Sequence, residues 1–282
     1  MLELQSSPVE VAARKPVPAI GRLEMHVTHA CNLKCESCCH YSNHSHKGNV
    51  GIAEAEAWMS AWRGRFAVEE FVLLGGEPTL HPQLPQFIPL VRQFWPEAKL
   101  TLITNGFFLH RHPELPRVVA ESGDAQIALS VHHGSPAYLD RIRPILELTE
   151  KWRTEYGITV VVTQSHRHWT RRYRGFGDSM LPFEDNDARR SWEICPARHC
   201  LQLFEGKLWK CAPIAYLGLQ RQKFDLSNKW EPYLDYQPLT STAGDGALLE
   251  FIGREDEGVC AMCPARPRKF ELPNPMASAV QG

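Results

Sequence analysis

The chain has 282 residues, of which 43 % are apolar and 22 % charged, and its formal net charge is -1. That balance excludes the overall basic excess of a nucleic-acid binder and a strongly acidic surface, so nucleic acid is not an expected partner. No apolar run reaches the roughly 18 residues of a membrane span, and residues 1–18 lack a signal peptide's apolar region, so the expectation is a soluble, cytoplasmic protein. At this length one α/β domain plus a smaller appendage can bury a core. Nine cysteines, clustered at short gaps, point to metal ligation in preference to disulfides.

Residues 1–20 carry little pattern and read as an N-terminal arm. The alternating run Leu23 to Val27 is the first strand, and it delivers the loop Cys31-x3-Cys35-x2-Cys38. Ile52 to Phe66 places Trp58, Met59, Trp62 and Phe66 at helical spacing, which assigns both tryptophans to core packing. Phe71 to Leu74 is a short strand stopped by Gly75-Gly76-Glu77-Pro78. Leu84 to Trp95 is a helix in which Pro85 and Pro89 imply a late start or a kink. Leu100 to Ile103 is a strand ending in Thr104-Asn105-Gly106. Leu115 to Ser122 is a helix, Ala125 to Val131 a strand, Tyr138 to Tyr156 a helix interrupted near Pro144, and Ile158 to Thr163 a strand. Strands and helices alternating in this way imply parallel strands joined by right-handed crossovers, with active groups on the loops after the strands' carboxyl ends. Residues 165–190 are polar and irregular, after which Leu201 to Lys210 read as a hairpin turning at Glu205-Gly206.

Three thiolates on a four-iron cluster leave one iron free to chelate a small molecule. The cysteine triplet, Gly75-Gly76-Glu77-Pro78 and Thr104-Asn105-Gly106, each at a strand end and in this order, resemble the radical S-adenosylmethionine superfamily over roughly residues 20–165. The resemblance implies a 4Fe-4S cluster on Cys31, Cys35 and Cys38. It also implies reductive cleavage of S-adenosylmethionine to a 5′-deoxyadenosyl radical and abstraction of a substrate hydrogen. Gly75, Gly76, Glu77 and Pro78, with Asn105 and Ser130, become cofactor-binding candidates. The family's aromatic residue before the third cysteine is here Ser37, and Tyr41 is a candidate substitute. A zinc knuckle completed by Cys39 is the competing reading of the triplet.

Cys195, Gly206, Cys211, Cys260 and Cys263 resemble the auxiliary-cluster pattern of the SPASM and twitch families. That implies a second 4Fe-4S cluster ligated by Cys195, Cys211, Cys260 and Cys263 with no open iron, Cys200 being spare; a structural zinc site competes here too. The fold expected is α/β: a partial (β/α)6 TIM-like radical SAM barrel over 21–190 and a small twitch-type cluster-binding domain over 191–282. The function expected is an oxidoreductase that dehydrogenates a small polar metabolite and takes electrons from a donor such as flavodoxin or ferredoxin. A peptide-modifying maturase and a non-catalytic zinc-binding interaction module are the alternatives. His132, His166, Arg167 and His168 at the rim are substrate candidates. His40, His44 and His46 form a histidine-rich loop that is either a further metal site or a polar rim. The basic and aromatic run 166–174 reads as an anion site or a solvated loop.

Overall fold

A computed structural model describes residues 17–276, the side chain of His168 excepted, so most of the expected N-terminal arm lies outside the described residues. The strands are β1 (Ala19–Thr28), β2 (Ala67–Gly75), β3 (Lys99–Thr104), β4 (Ala125–Val131), β5 (Thr159–Gln164), β6 (Trp169–Thr170), β7 (Cys200–Phe204), β8 (Lys207–Trp209) and β9 (Lys269–Phe270). Helices α1 (Ile52–Ser60), α2 (Leu84–Phe94), α3 (Leu115–Glu121) and α4 (Pro136–Tyr156) connect the first five strands. Seven strands form one sheet in the order β5-β4-β3-β2-β1-β7-β8, with every neighbouring pair parallel except β7 and β8. It is an α/β fold with a mostly parallel, open sheet.

A sixth consecutive βα repeat is not what completes it. After β5 the chain enters 3-10 turns and a polar, irregular stretch, and the sixth parallel strand is β7, which joins the opposite edge beside β1. The sheet therefore continues across the 190/191 boundary. The hairpin of β7 and β8 turns through Glu205 (φ 53°) and Gly206 (φ 71°), both left-handed as a two-residue turn between twisted strands requires. The Gly206 carbonyl accepts a 2.9 Å hydrogen bond from Trp62 Nε1, which pins the hairpin to the chain just after α1.

The two faces of the sheet differ in chemistry. Leu23, Met25, Phe71, Leu73, Leu100, Leu102, Ile127 and Leu129 are fully buried against the helices, where Met59, Phe87, Val91 and Ile142 meet them. Period-two alternation sends the intervening residues to the inner face. There a polar chain crosses five strands. Gln126 donates to Thr101 at 3.0 Å, and Thr101 donates to Glu70 at 2.7 Å. Arg22 then bridges Glu70 (2.7 Å) and Glu24 (2.8 Å), and Gln202 of β7 donates to Glu24 at 2.8 Å. Buried polar groups need such partners, and this chain ties β7 to the inner wall.

The late start at Pro85 and the interruption at Pro144 are corrected. Pro85 lies in the first turn of α2, where its missing N–H is not needed, and Pro89 is exposed within a continuous helix. α4 runs unbroken through an exposed Pro144; Ser135 caps its start, accepting from Tyr138 N, and Gly157 (φ 67°) ends it.

Candidate functional site

The cysteine loop leaves β1 and folds over the sheet's carboxyl edge. Cys31, Cys35 and Cys38 line one cavity of about 610 Å³ together with Gly75, Gly76, Glu77, Asn105 and Ser130. The topology thus gathers the three motifs after β1, β2 and β3, plus Ser130 of β4, on one wall. Pro78 is buried at the start of the following 3-10 turn and does not line the cavity.

The glycines are required by close approach to the chain itself. A Cβ on Gly75 would lie 2.3 Å from the Thr28 carbonyl oxygen, and one on Gly76 2.1 Å from that of Ala30. Their absence lets the end of β2 bond to the root of the cysteine loop, with Gly76 N donating to Thr28 O (2.9 Å) and Glu77 N to Ala30 O (2.8 Å). Glu77 locks the other side. Its buried carboxylate accepts from Thr79 N, Thr79 Oγ1 and Thr104 Oγ1, and from Asn105 N at 2.7 Å. Burial still raises its pKa. Asn105 Nδ2 in turn donates to Asn32 Oδ1 at 2.8 Å, so the β3 end also holds the cysteine loop.

Burial pushes the Cys31 thiol up to about 12, Cys35 well above its ordinary value, and Cys38 upward. Such thiols stay protonated until a cation displaces the proton. Leu33 N–H points at Cys31 Sγ (3.4 Å), and His132 Nδ1 lies 3.6 Å from Cys35 Sγ. Burial lowers the His132 pKa to about 4, so its imidazole is neutral near pH 7. Three convergent thiols fringed by N–H donors, beside a glycine-floored edge, fit a cluster with one open corner. Among the described residues no three His, Cys, Asp or Glu side chains converge tightly enough for one metal ion.

Cys195, Cys211, Cys260 and Cys263 share a second, small cavity of about 40 Å³ with Lys210. Lys210 is 4 % exposed and donates to the Arg254 and Glu255 carbonyls. Burial raises Cys211 and Cys260 and pushes Cys263 to about 12. Cys200 is elsewhere: with Cys39 it lines the large cavity, next to Glu24 and Arg22.

The rim residues divide. His132 lines the large cavity, as do Ser165 and Trp169; His166 is buried and its Nδ1 donates to Val131 O, and Arg167 is exposed, neither reaching the cavity wall. His168's side chain lies outside the described residues. The histidine-rich loop does not converge: His40 lines the cavity and meets His26 at 2.7 Å, His44 bonds Tyr173, and His46 bonds Gln220. Tyr41 does not replace the missing aromatic. It is buried in the second apolar cluster, its hydroxyl donating to Pro213 O. Ser37, at φ 54°, uses its hydroxyl on Arg172 N, Tyr173 N and Tyr173 O. Arg22 and Glu24 belong to no motif, and only the polar side of β1's alternation marks them; the sequence offers Cys39 only as a zinc ligand, Cys200 as spare and Trp169 as part of the basic and aromatic run 166–174.

Residues 25–163 match the family model described as "Radical SAM superfamily". This half of the chain is a radical SAM domain. The family implies a 4Fe-4S cluster that binds S-adenosylmethionine, and Cys31, Cys35 and Cys38, which line one cavity, are the residues that would hold it here. The chain is 25 % identical over 128 residues to a probable GTP 3′,8-cyclase of Sulfolobus acidocaldarius, covering 45 % of this chain and 39 % of that protein. It is 28 % identical over 251 residues to the GTP 3′,8-cyclase of Chlorobaculum tepidum, covering 86 % and 71 %. The chain thus spans well under half the length of the first of these. The crystal structure of BtrN in complex with AdoMet and 2-DOIA is similar at TM-score 0.47 and 16 % identity, over 88 % of this chain and 93 % of that one. No described helix is long and apolar enough to cross a membrane.

Proposed function

We propose that this radical SAM enzyme dehydrogenates a small polar metabolite. Cys31, Cys35 and Cys38 would hold the 4Fe-4S cluster, which would supply the electron for reductive cleavage of S-adenosylmethionine. This chain's residues do the rest. Gly75, Gly76 and Glu77, with Pro78 behind them, set the backbone edge for the methionine end. Asn105 and Ser130 face the cavity as hydrogen-bonding partners for the remainder of that molecule, and His132 and Trp169 line the same cavity. The observation that carries the reading is the single cavity that holds all three motifs above a polar inner face.

The substrate class follows from the charges of that cavity. Among the described residues Arg22 is the only arginine or lysine on its wall, and it is spanned by Glu24 and Glu70. A nucleoside triphosphate, the substrate the relatives' names indicate, needs uncompensated cations that this wall does not offer. A neutral, hydroxyl-rich molecule needs none. The grouping of Cys195, Cys211, Cys260 and Cys263 in one small cavity supports the second half of the proposal, a twitch-type C-terminal region in which these four thiols would hold an auxiliary 4Fe-4S cluster and so supply a site for one-electron oxidation.

Incubating the anaerobically reconstituted protein with deuterated sugar alcohols and with deuterated GTP separates the readings. Label from a carbinol position in 5′-deoxyadenosine supports dehydrogenation, whereas label from GTP alone refutes it. Iron content falling from about eight per chain to about four in Cys260→Ser/Cys263→Ser is expected; equal iron in both would remove the second cluster.

A further inference from the structure

Behind the cysteine loop lies a basic groove that the chemistry above does not use. Two segments distant in sequence build it, because β6 and β9 pair antiparallel, Trp169 with Phe270 and Thr170 with Lys269. The groove, about 360 Å³, is lined by Arg171, Arg174, Phe183, Arg266, Pro267 and Arg268. Arg171 bonds Glu36 at 2.6 Å, and Arg174 bonds Glu184 at 3.0 Å. Arg266 and Arg268 are exposed, and among the described residues neither is in an ion pair. Exposed Lys269 adjoins them. Four guanidinium groups facing two carboxylates, on a chain of net charge -1, make a local positive field on a near-neutral molecule.

The groove is fastened to the cluster loop. Glu36, which holds Arg171, lies between Cys35 and Cys38, and its carbonyl accepts from Trp169 Nε1 at 2.6 Å. The next residue, Ser37, accepts from the backbone N–H groups of Arg172 (2.7 Å) and Tyr173 (3.1 Å). The segment that carries the groove is therefore hydrogen-bonded directly to the two residues between Cys35 and Cys38. Binding an anion for its own sake does not call for that proximity, but electron transfer does.

We infer that this groove is the docking surface for an acidic one-electron donor protein, whose carboxylates surround an exposed low-potential flavin or iron–sulfur centre. The inference rests on the radical SAM reading, in which the cluster is reduced from outside. In the step, one electron leaves the donor, which is oxidised by one unit, and the cluster is reduced by one; no bond forms or breaks. Single-stranded nucleic acid fits the groove less well. The rings of Phe270 and Phe183 lie under the guanidinium groups of Arg171 (4.3 Å) and Arg174 (5.8 Å), not open as stacking platforms, and the groove is only a few side chains long.

The test uses the full reconstituted chain, with reduced flavodoxin as the protein donor and reduced methyl viologen as a small donor, each followed by stopped-flow bleaching of the cluster. In Arg266→Glu/Arg268→Glu the flavodoxin rate should fall about tenfold or more, with a smaller fall in Arg266→Gln/Arg268→Gln, and the wild-type rate should drop steeply with added salt. The methyl viologen rate should not slow in either variant. A flavodoxin rate that is the same in wild type and the Glu variant, or independent of salt, overturns the inference. So does an oligonucleotide that binds the groove while the flavodoxin rate is unaffected by the substitutions. A wild-type protein with no cluster reducible by either donor overturns the radical SAM reading as well.

Discussion

Gly76→Ala is the sharpest test of how the cysteine loop is placed. The added Cβ would sit 2.1 Å from the Ala30 carbonyl oxygen and 2.8 Å from that of His29, where real contacts stay beyond 3.0 Å. The Ala30 carbonyl must therefore retreat by about 0.9 Å, and it is backbone, with no rotamer to change. Overpacking of that kind costs about 1–3 kcal/mol. The retreat also stretches two backbone hydrogen bonds, Gly76 N to Thr28 O and Glu77 N to Ala30 O, worth about 0.5–1.5 kcal/mol each. The sum is a loss of about 2–6 kcal/mol, felt one residue from Cys31. Gly218→Ala is the control: Gly218 is an exposed helical residue, and its Cβ meets nothing within 4 Å. It should gain about 0.4–1 kcal/mol through the unfolded chain. Urea titration reads both, and iron content after anaerobic gel filtration should drop in Gly76→Ala and hold in Gly218→Ala. A Gly76→Ala protein with wild-type stability and full iron would refute the close-approach argument.

Other expectations are independent of that one. Burial depresses His44 and His46 to about 4 and His26 well below 6.5, so each is neutral when folded and binds more protons when unfolded. Their contribution is fully present above pH 6.5 and is lost as pH falls toward 4, so the urea midpoint should decline over that window; a flat profile would contradict it. Replacing His132 with Leu removes the imidazole 3.6 Å from Cys35 Sγ and should shift the first cluster's midpoint potential to more negative values in an electron paramagnetic resonance titration, while His132→Asn, which retains a donor, should restore it. Equal potentials in all three proteins would remove His132 from the cluster's surroundings. Lys210→Met should lose about 1.5–3 kcal/mol for each charged hydrogen bond to the Arg254 and Glu255 carbonyls and loosen the second cysteine site, which thermal unfolding would detect.

Much of this architecture is legible in the sequence because its signals are local. Leu23 to Val27 alternates, Gly75-Gly76 admits only a close backbone approach, and Glu205-Gly206 turns a hairpin. The inner wall is less legible. Arg22 and Glu24 become cavity residues only once β7 pairs beside β1, a contact between positions about 180 residues apart that no periodicity encodes. Cys200 is carried into the cavity by the same pairing, which is why spacing alone left it spare. Pro144 misleads in the opposite way: on the exposed side of α4 its lost hydrogen bond faces solvent, and the amphipathic helix continues past it. Tyr41 is placed by the second apolar cluster, whose members Tyr173, Tyr216 and Trp230 come from segments with no regular pattern.

The central claim is that the Cys31, Cys35 and Cys38 loop holds the cluster that cleaves S-adenosylmethionine. The direct measurement is 5′-deoxyadenosine release after anaerobic reduction with dithionite, alongside iron, sulfide and zinc analysis, for the wild type and for the protein with all three cysteines replaced by alanine. The account predicts iron and sulfide in the wild type with 5′-deoxyadenosine produced, and no 5′-deoxyadenosine from the triple variant. Zinc without iron in the wild type, or undiminished release by the variant, would contradict it.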